Sequence, residues 1–498
     1  MNSSLTDQIV KSGIWVYGKM IIINFFNLIV ISILARNLSP VEFGIVALAN
    51  VVLKLIRVFI AQGSNQFIIQ DNETGKEERV FAAFWIDFAF SCFCVVIGFL
   101  ALPFIIEFYE EPLLHDILVC LLLLIPINTL VKVPDALLMK SLNFRKLEIR
   151  DIGLQVFSGI LSVLFALSGW GVWSLIIPSL VITPIKLIVT YQLTNWRPKF
   201  KFYFNLWPKV LHYSGNVIGT SLTTFIITEG DNLLIGKVLG LEALGIYSIA
   251  WQASNIVTRT IVKLMNRLSL PALAKVASEK ARMKRALNKI LRLLSIVSFP
   301  LLVGLFIVAD DFIKVVYGES WSSAVLPLRI LIIYAIRYCV GSPTGAVFKV
   351  LGKPQIGFKI GLITVPFYFL GIFLGSKFGI VGVAVGVTVV RTISGIISLN
   401  IVSNLLEEKF LHFISVFGLP FVATAAMSIP LVCLKYLFDS FSLLTPFYSL
   451  LTIILSGGIF YLLLLRNSFN SLAEDLVNVI KPLLGGKISY VKKILKVS

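Results

Sequence analysis

LGLEALGIYSIA, residues 239–250, repeats the pattern of LSPVEFGIVALA, residues 38–49, at an offset of 201. The match sets Arg36 against Lys237, Leu38 against Leu239, Gly44 against Gly245 and Ala49 against Ala250. Each copy follows a small residue and a cation and leads into an apolar run. Two further pairs fall at nearly the same offset: PDALLMKSL (Pro134 to Leu142) over PTGAVFKVL (Pro343 to Leu351), and Trp170-Gly171-Val172 over Phe378-Gly379-Ile380. A single match in apolar sequence arises easily by chance. Three in order, at corresponding loops, indicate an internal duplication.

Composition says what was duplicated. The 498 residues are 57% hydrophobic and 14% charged, with a mean hydropathy of +0.91, beyond what a soluble domain of this length carries. A helix needs ~20 apolar residues to cross a ~30 Å hydrocarbon core, and the chain holds about fourteen such runs. The expected fold class is an all-α integral membrane protein with about fourteen transmembrane helices. The first run lacks a small-residue cleavage site and reads as a retained helix. Each duplicated unit holds six runs, and an even number sends both copies into the membrane in the same sense. Two parallel repeats related by an axis along the membrane normal follow. The expected divisions are an N-lobe at 1–195, a basic and aromatic interfacial connector at 196–213 and a C-lobe at 214–404. A two-helix appendage at 405–466 and a basic amphipathic tail at 467–498 complete the chain.

The net charge of +18 raises the question of a nucleic-acid partner, and the positions of the cations answer it. With the N-terminus inside, about 29 of the basic residues fall in cytoplasmic loops and about 5 outside (Arg36, Lys237, Lys314, Lys377, Lys435), a positive-inside bias. The charge is a topology signal, and no nucleic-acid partner is expected. The loop from Asn266 to Lys289 is the richest, and the tail ending SYVKKILKVS also lies inside. The Asn72-Glu-Thr sequon falls in a cytoplasmic loop and is discounted as a glycan site. Outside loops, such as EFYEEPLLHD at 107–116, are short.

Chemistry-bearing motifs are absent. No Walker loop, Rossmann glycine pattern, nucleophile elbow or zinc spacing occurs, so no enzyme activity, cofactor or metal is expected. The five cysteines fall inside apolar runs, and His115, His212 and His412 lie singly near helix ends.

What stands out is charge inside the apolar runs, where each ionised group costs about 2.5–3.5 kcal/mol on insertion scales. Lys54 and Arg57 lie at i and i+3 on the second run, and Arg259 and Lys263 at i and i+4 on the eighth, so equivalent helices carry cationic stripes. Lys132, Arg329, Arg337 and Arg391 add to them. The acids are fewer: Asp87, Asp135, Glu229 and Asp231. Lys132 and Asp135 share a face and are expected to pair, and the acids are candidates for ion coupling or structure. Lys19, Lys186 and Lys263 are near helix ends, where long stems snorkel. The excess of deep cations implies an aqueous cationic cavity for an anionic cargo, arginine being suited to phosphate through its planar fork. Interhelical ion pairs and snorkelling are the alternative for each residue. Gly379, Gly382 and Gly386 give the twelfth run a small-residue face for close packing.

The chain resembles the Wzx-type flippases of the multidrug/oligosaccharidyl-lipid/polysaccharide exporter superfamily, in the colanic-acid and teichuronic-acid exporter branch. The resemblance lies in LARNLSPVEFGIVALA (34–49), LMKSLNFRKLEIRDI (138–152), GWGVWSL (169–175), DNLLIGKVLGLEALGIYSIA (231–250) and the block from Leu270-Pro-Ala-Leu through FPLLVGL (299–305) to YGESW (317–321). It implies a V-shaped, two-lobed bundle that moves an undecaprenyl-pyrophosphate-linked oligosaccharide to the outer leaflet of a bacterial cytoplasmic membrane. It also implies a monomer acting beside polysaccharide polymerase and chain-length proteins. A lipid II-type flippase and a multidrug exporter of the same superfamily are the alternatives. A pocket for cationic drugs should be acidic, whereas this one is expected to be basic. The family has no catalytic motif to carry over.

Single cysteines placed in the 266–289 loop should react with impermeant maleimide only after the membrane is opened, and cysteines in the 107–116 loop should react in intact cells. Labelling of the 266–289 loop from outside would overturn the assigned topology.

Overall fold

The computed structural model describes residues 23–60, 76–141, 143–204, 207–441, 444–469 and 471–474, and among these the regular structure is helical. Lys19, the Asn72 sequon, the side chain of His212 and most of the basic tail lie outside the described residues.

The chain divides into two compact units. The first, Phe26–Ser248, holds most of α1 (described over Ile23–Asn37), α2 (Pro40–Phe59), α3 (Lys76–Tyr109), α4 (Leu113–Lys140), α5 (Phe144–Leu167), α6 (Trp173–Leu193), α7 (Trp207–Val238) and the first turns of α8 (Gly240–Ala274). The second runs from Ile249 through the rest of α8, α9 (Lys280–Ile307), α10 (Ala309–Val316) and a 3-10 turn, Glu319–Ala324. It continues with α11 (Val325–Gly341), α12 (Thr344–Val350), α13 (Pro354–Ser376), α14 (Gly379–Leu405), α15 (Phe410–Ser415), α16 (Gly418–Ser440) and α17 (Pro446–Asn467).

Ten helices among the described residues are long and apolar enough to cross a membrane: α3 to α6, α9, the stretch from Glu319 to Val350, α13, α14, α16 and α17. The chain is thus a multi-pass membrane protein. The other four runs of the expected fourteen fall on α1, α2, α7 and α8. α1 is described over a short length, and the apolar runs of the other three are interrupted by charged and polar residues, among them Lys54 and Arg57 on α2, Glu229 and Asp231 on α7, and Arg259 and Lys263 on α8.

The duplicated motif shapes the local structure directly. In the first copy, Ser39 caps α2: its Oγ accepts from the Glu42 amide at 3.3 Å, the Glu42 carboxylate accepts from the Ser39 amide at 2.7 Å, and Pro40 begins the helix. In the second copy, Gly240 takes φ +87° just before α8 rises. The two copies then touch each other. A Cβ placed on Gly44 would lie 1.9 Å from the Leu241 carbonyl oxygen, and one on Gly245 would lie 1.9 Å from the Pro40 carbonyl oxygen. Leu241 is the repeat equivalent of Pro40, as Gly245 is of Gly44. The contact is reciprocal, like that across a two-fold axis.

The later motifs behave alike. Gly171 before α6 and Gly379 before α14 both have positive φ, +53° and +67°, which only glycine adopts without strain. After Gly379 the helices α13 and α14 fold back with glycines facing glycines. A Cβ on Gly375 would come 2.3 Å from the Gly382 carbonyl oxygen, and one on Gly371 3.3 Å from that of Gly386. The small-residue face of α14 thus has a small-residue partner on α13.

Because the obstructing atoms at Gly44 and Gly245 are backbone, a methyl group there forces the helices apart, and overpacking of this kind costs about 1–3 kcal/mol. Gly44→Ala and Gly245→Ala should each lower the thermal inactivation midpoint of the purified protein. Gly219→Ala, where nothing lies within 4 Å, should leave it unchanged.

Candidate functional site

In the first unit α2 lies along α7. Between their facing surfaces opens a cavity of about 380 Å³, lined by Lys54 and Arg57 from α2 and by Ser221, Thr224, Thr228 and Glu229 from α7. At 1.5 Å per residue the two cations sit roughly 20–25 Å along α2 from its start at Pro40. The Lys54 ammonium is 2.7 Å from Glu229 Oε1, while Asn232 donates to Glu229 Oε2 at 3.2 Å. The Lys54 side chain is 51% exposed and that of Glu229 14%, so the carboxylate is anchored in the wall and the ammonium reaches out to it. Arg57 is also exposed to the cavity.

Behind Arg57 stands Lys132 on α4, whose ammonium is 3.5 Å from the Ile60 carbonyl oxygen and within electrostatic reach of both Arg57 and the buried Asp87 on α3. Asp231 turns away from the cavity and accepts from the Tyr247 hydroxyl at 2.9 Å inside the core. Arrangement alone gives this cavity a cationic wall, a row of hydroxyls and one carboxylate. Those groups suit an oxyanion.

Asp135 corrects an expectation. Its partner is Arg150 near the start of α5, which donates from both terminal nitrogens at 2.5 and 3.2 Å and also reaches Thr190 at 2.6 Å and Asp151 at 2.8 Å. The spacing of Lys132 and Asp135 does set them on one side of α4. The fork geometry of arginine, arriving from another helix, outcompetes the lysine. Arg150 itself is 5% exposed and was hidden in the sequence among loop cations at the start of a helix.

The second unit holds Arg391, 6% exposed on α14. It donates to the hydroxyls of Tyr368 at 2.6 Å and Tyr334 at 3.2 Å, and its guanidinium lies 4.9 Å from the rings of Trp251 and Tyr368 and 5.2 Å from that of Tyr334. Nearby, Arg337 lies 5.5 Å from the Tyr334 ring and packs over Gly395, where a Cβ would fall 1.6 Å from its Nη1. Arg337 and Arg391 are close enough to repel each other. Arg329 lies apart, 5.9 Å from the Phe306 ring, and Arg259 and Lys263 are exposed on α8. The deep arginines are therefore gathered by aromatic rings. No sequence spacing announced that Trp251, Tyr334 and Tyr368 would converge.

A sequence profile of the family described as "Polysaccharide biosynthesis protein" matches residues 33–326. The chain belongs to that family. Among its relatives, the Lipopolysaccharide biosynthesis protein WzxC of Escherichia coli K12 is 23% identical over 87% of this chain and 88% of the relative. The Teichuronic acid biosynthesis protein TuaB of Bacillus subtilis 168 is 24% identical over 94% and 97%. Among solved structures, a lipid II flippase MurJ in an inward closed conformation superposes with a TM-score of 0.71 at 14% identity, over 91% of this chain and 98% of that one. An inward-facing multidrug resistance MATE family transporter gives 0.61, also at 14%, over 77% and 94%. These two likenesses establish a shared transporter fold.

Breaking a partly buried ion pair by removing one member costs about 3–5 kcal/mol. Arg150→Ala should therefore lower the amount of protein in the membrane sharply, and Arg150→Lys should restore part of it. Arg391→Lys keeps the charge but loses the ring-stacked plane. It too should reduce thermal stability, as measured by inactivation of the purified protein.

Proposed function

We propose that this protein is a flippase that carries an undecaprenyl-pyrophosphate-linked oligosaccharide from the inner to the outer leaflet of the bacterial cytoplasmic membrane, for polysaccharide export. Both termini lie in the cytoplasm, the repeats 1–195 and 214–404 act as the two lobes of an alternating-access carrier, and the protein works without catalysing a reaction. Membership of the polysaccharide biosynthesis family supports the pathway. The observation that carries the cargo class is the cavity between α2 and α7, with Lys54 and Arg57 beside a line of hydroxyls.

The geometry suggests how an anion would be taken up. An ion pair as exposed as that of Lys54 contributes only about 0–1 kcal/mol. A hydrogen bond from a cation to a phosphate oxygen contributes roughly 1.5–3 kcal/mol. A diphosphate entering the cavity therefore wins Lys54 from Glu229, while the fork of Arg57 takes two oxygens at once. The hydroxyls of Ser221 and Thr228 are placed to meet further oxygens of the diphosphate or of the first sugar. Arg337 serves as a further cation in the other unit, whereas Arg391 supports it through their shared ring, Tyr334. A multidrug exporter shares the fold, but a cationic wall repels cationic drugs.

Lys54→Ala and Arg57→Ala should each cut export by roughly tenfold, the loss of about 1.4 kcal/mol of cargo binding, with protein amounts near normal. Arg57→Lys should fall between wild type and alanine. The readout is accumulation of lipid-linked oligosaccharide on the cytoplasmic leaflet of a strain lacking other flippases. Undiminished export by Arg57→Ala would remove the cavity from the transport path.

A further inference from the structure

The connector after α6 and a second cavity beside it are not used by the transport site. Where α4 ends, α5 begins and α6 ends, a cavity of about 250 Å³ opens. Leu137, Leu138 and Leu193 line it beside the polar Ser141, Asn143, Lys146 and Thr194, with Trp196 alongside. Lys146 is exposed on the first turn of α5. Just past Trp196, Arg197 is held in place by donating to the carbonyl oxygens of Thr194 at 2.8 Å and Trp196 at 2.9 Å, with its guanidinium 5.6 Å from the Tyr191 ring.

From there the chain runs without helix and alternates cations with phenylalanines. Phe200, Phe202 and Phe204 are 84%, 47% and 64% exposed, with Lys199 before the first and Lys201 between the first two. The segment is nonetheless pinned. Trp85 on α3 donates its indole N–H to the Lys199 carbonyl oxygen at 2.9 Å, and its ring lies 4.9 Å from that of Phe202. Trp196 packs on Phe81 and Phe84 of the same helix at 5.6 and 5.3 Å. A fixed row of exposed phenylalanines at the end of membrane helices belongs at the headgroup level of a bilayer, where aromatic rings partition. Interleaved cations attract anionic lipid, each contributing about 1 kcal/mol near a charged surface.

We propose that the cavity lined by Lys146 is a binding site for the phosphodiester headgroup of an acidic glycerophospholipid, with the Phe200 to Phe204 row lying along the same leaflet. The single lysine among the lining residues matches the single charge of a phosphodiester, the lining hydroxyls and amides offer it further hydrogen bonds, and the three leucines meet the first methylenes of the acyl chains. The volume is below the ~300 Å³ at which pockets begin to hold drug-sized ligands, so an oligosaccharide does not fit. By the proposed topology this end of the helices faces the cytoplasm. The site is separate from Lys54 and Arg57, so its test does not depend on transport.

The experiment is native mass spectrometry of the full-length protein after exchange into micelles containing either phosphatidylglycerol or phosphatidylcholine. Wild type should retain phosphatidylglycerol over phosphatidylcholine by about fivefold, the ratio that ~1 kcal/mol from one lysine gives. Lys146→Gln should abolish that preference, Lys146→Arg should keep it, and Lys54→Ala should not affect it. Gel filtration of each variant establishes that it is folded. Equal retention of the two lipids by wild type, or an unchanged preference in Lys146→Gln, would overturn the proposal. Inorganic phosphate at millimolar concentration should not displace the lipid. Displacement by phosphate alone would make this a free-anion site and overturn the lipid assignment.

Discussion

Two helix backbones in contact, at Gly44 against Leu241 and at Gly245 against Pro40, are the constraint on which the first unit is built. Nothing larger than hydrogen fits at either glycine. Without a hydrophobic driving force between helices in lipid, close approach of backbones is a main source of attraction, through dispersion and weak Cα–H hydrogen bonds. Because the partners are equivalent residues of a duplicated motif, each contact implies the other. A duplication that places one glycine correctly places both. The start of α2 is thereby fixed against the start of α8, and α7, which leads directly into α8, is held alongside α2. The cavity between α2 and α7 follows from that placement.

Charge in the helices divides into two kinds by what surrounds it. Asp135 is clamped by Arg150. Asp311 on α10 accepts from Lys435 on α16 at 2.8 Å and from Ser449 on α17 at 2.6 Å, tying the last two helices to the second unit. Arg391 is enclosed by three rings. Arg150, Asp311 and Arg391 are buried with several partners each, and Asp135 is held through both oxygens by one arginine; all stabilise the packing, and removing one partner strands another. Lys54 and Arg57 are exposed within a cavity, and Lys54 pairs there with the Glu229 carboxylate. The first kind is structure. The second is what the proposed function assigns to the cargo.

The repeat was legible in the sequence because its signals are local: a glycine at a turn or a crossing, a proline at a helix start, a cation before an apolar run. Gly171 and Gly379 illustrate this, since the same turn needs the same residue in both copies. Ten of the expected fourteen apolar runs are helices long and apolar enough to span among the described residues, legible for the same reason. Partners across helices were not legible. Spacing shows which residues share a face, as with Lys132 and Asp135, but not which face of another helix arrives opposite. That depends on the rotation of each helix about its axis, which packing sets. Arg150 and the rings around Arg391 come from such faces, and so escaped a reading that treated each helix by itself.

Weak pairing of Lys54 has a consequence for a carrier. Two cation-to-phosphate contacts of roughly 1.5–3 kcal/mol each give on the order of 3–6 kcal/mol, which corresponds to dissociation constants from several millimolar to tens of micromolar. In the proposed cycle, binding of that strength would load from a membrane in which the cargo is confined and still release on the far side. A cavity built like the surroundings of Arg391 would hold an anion far more tightly, because buried charges pair in a low dielectric. Glu229 moves the balance further toward release. Fixed in the wall and 2.7 Å from the Lys54 ammonium, it is ready to take the lysine back as the phosphate departs, so the empty cavity never leaves that charge without a partner. The pair that looks like a lost binding group in the unloaded protein is, in the proposed cycle, what keeps binding reversible.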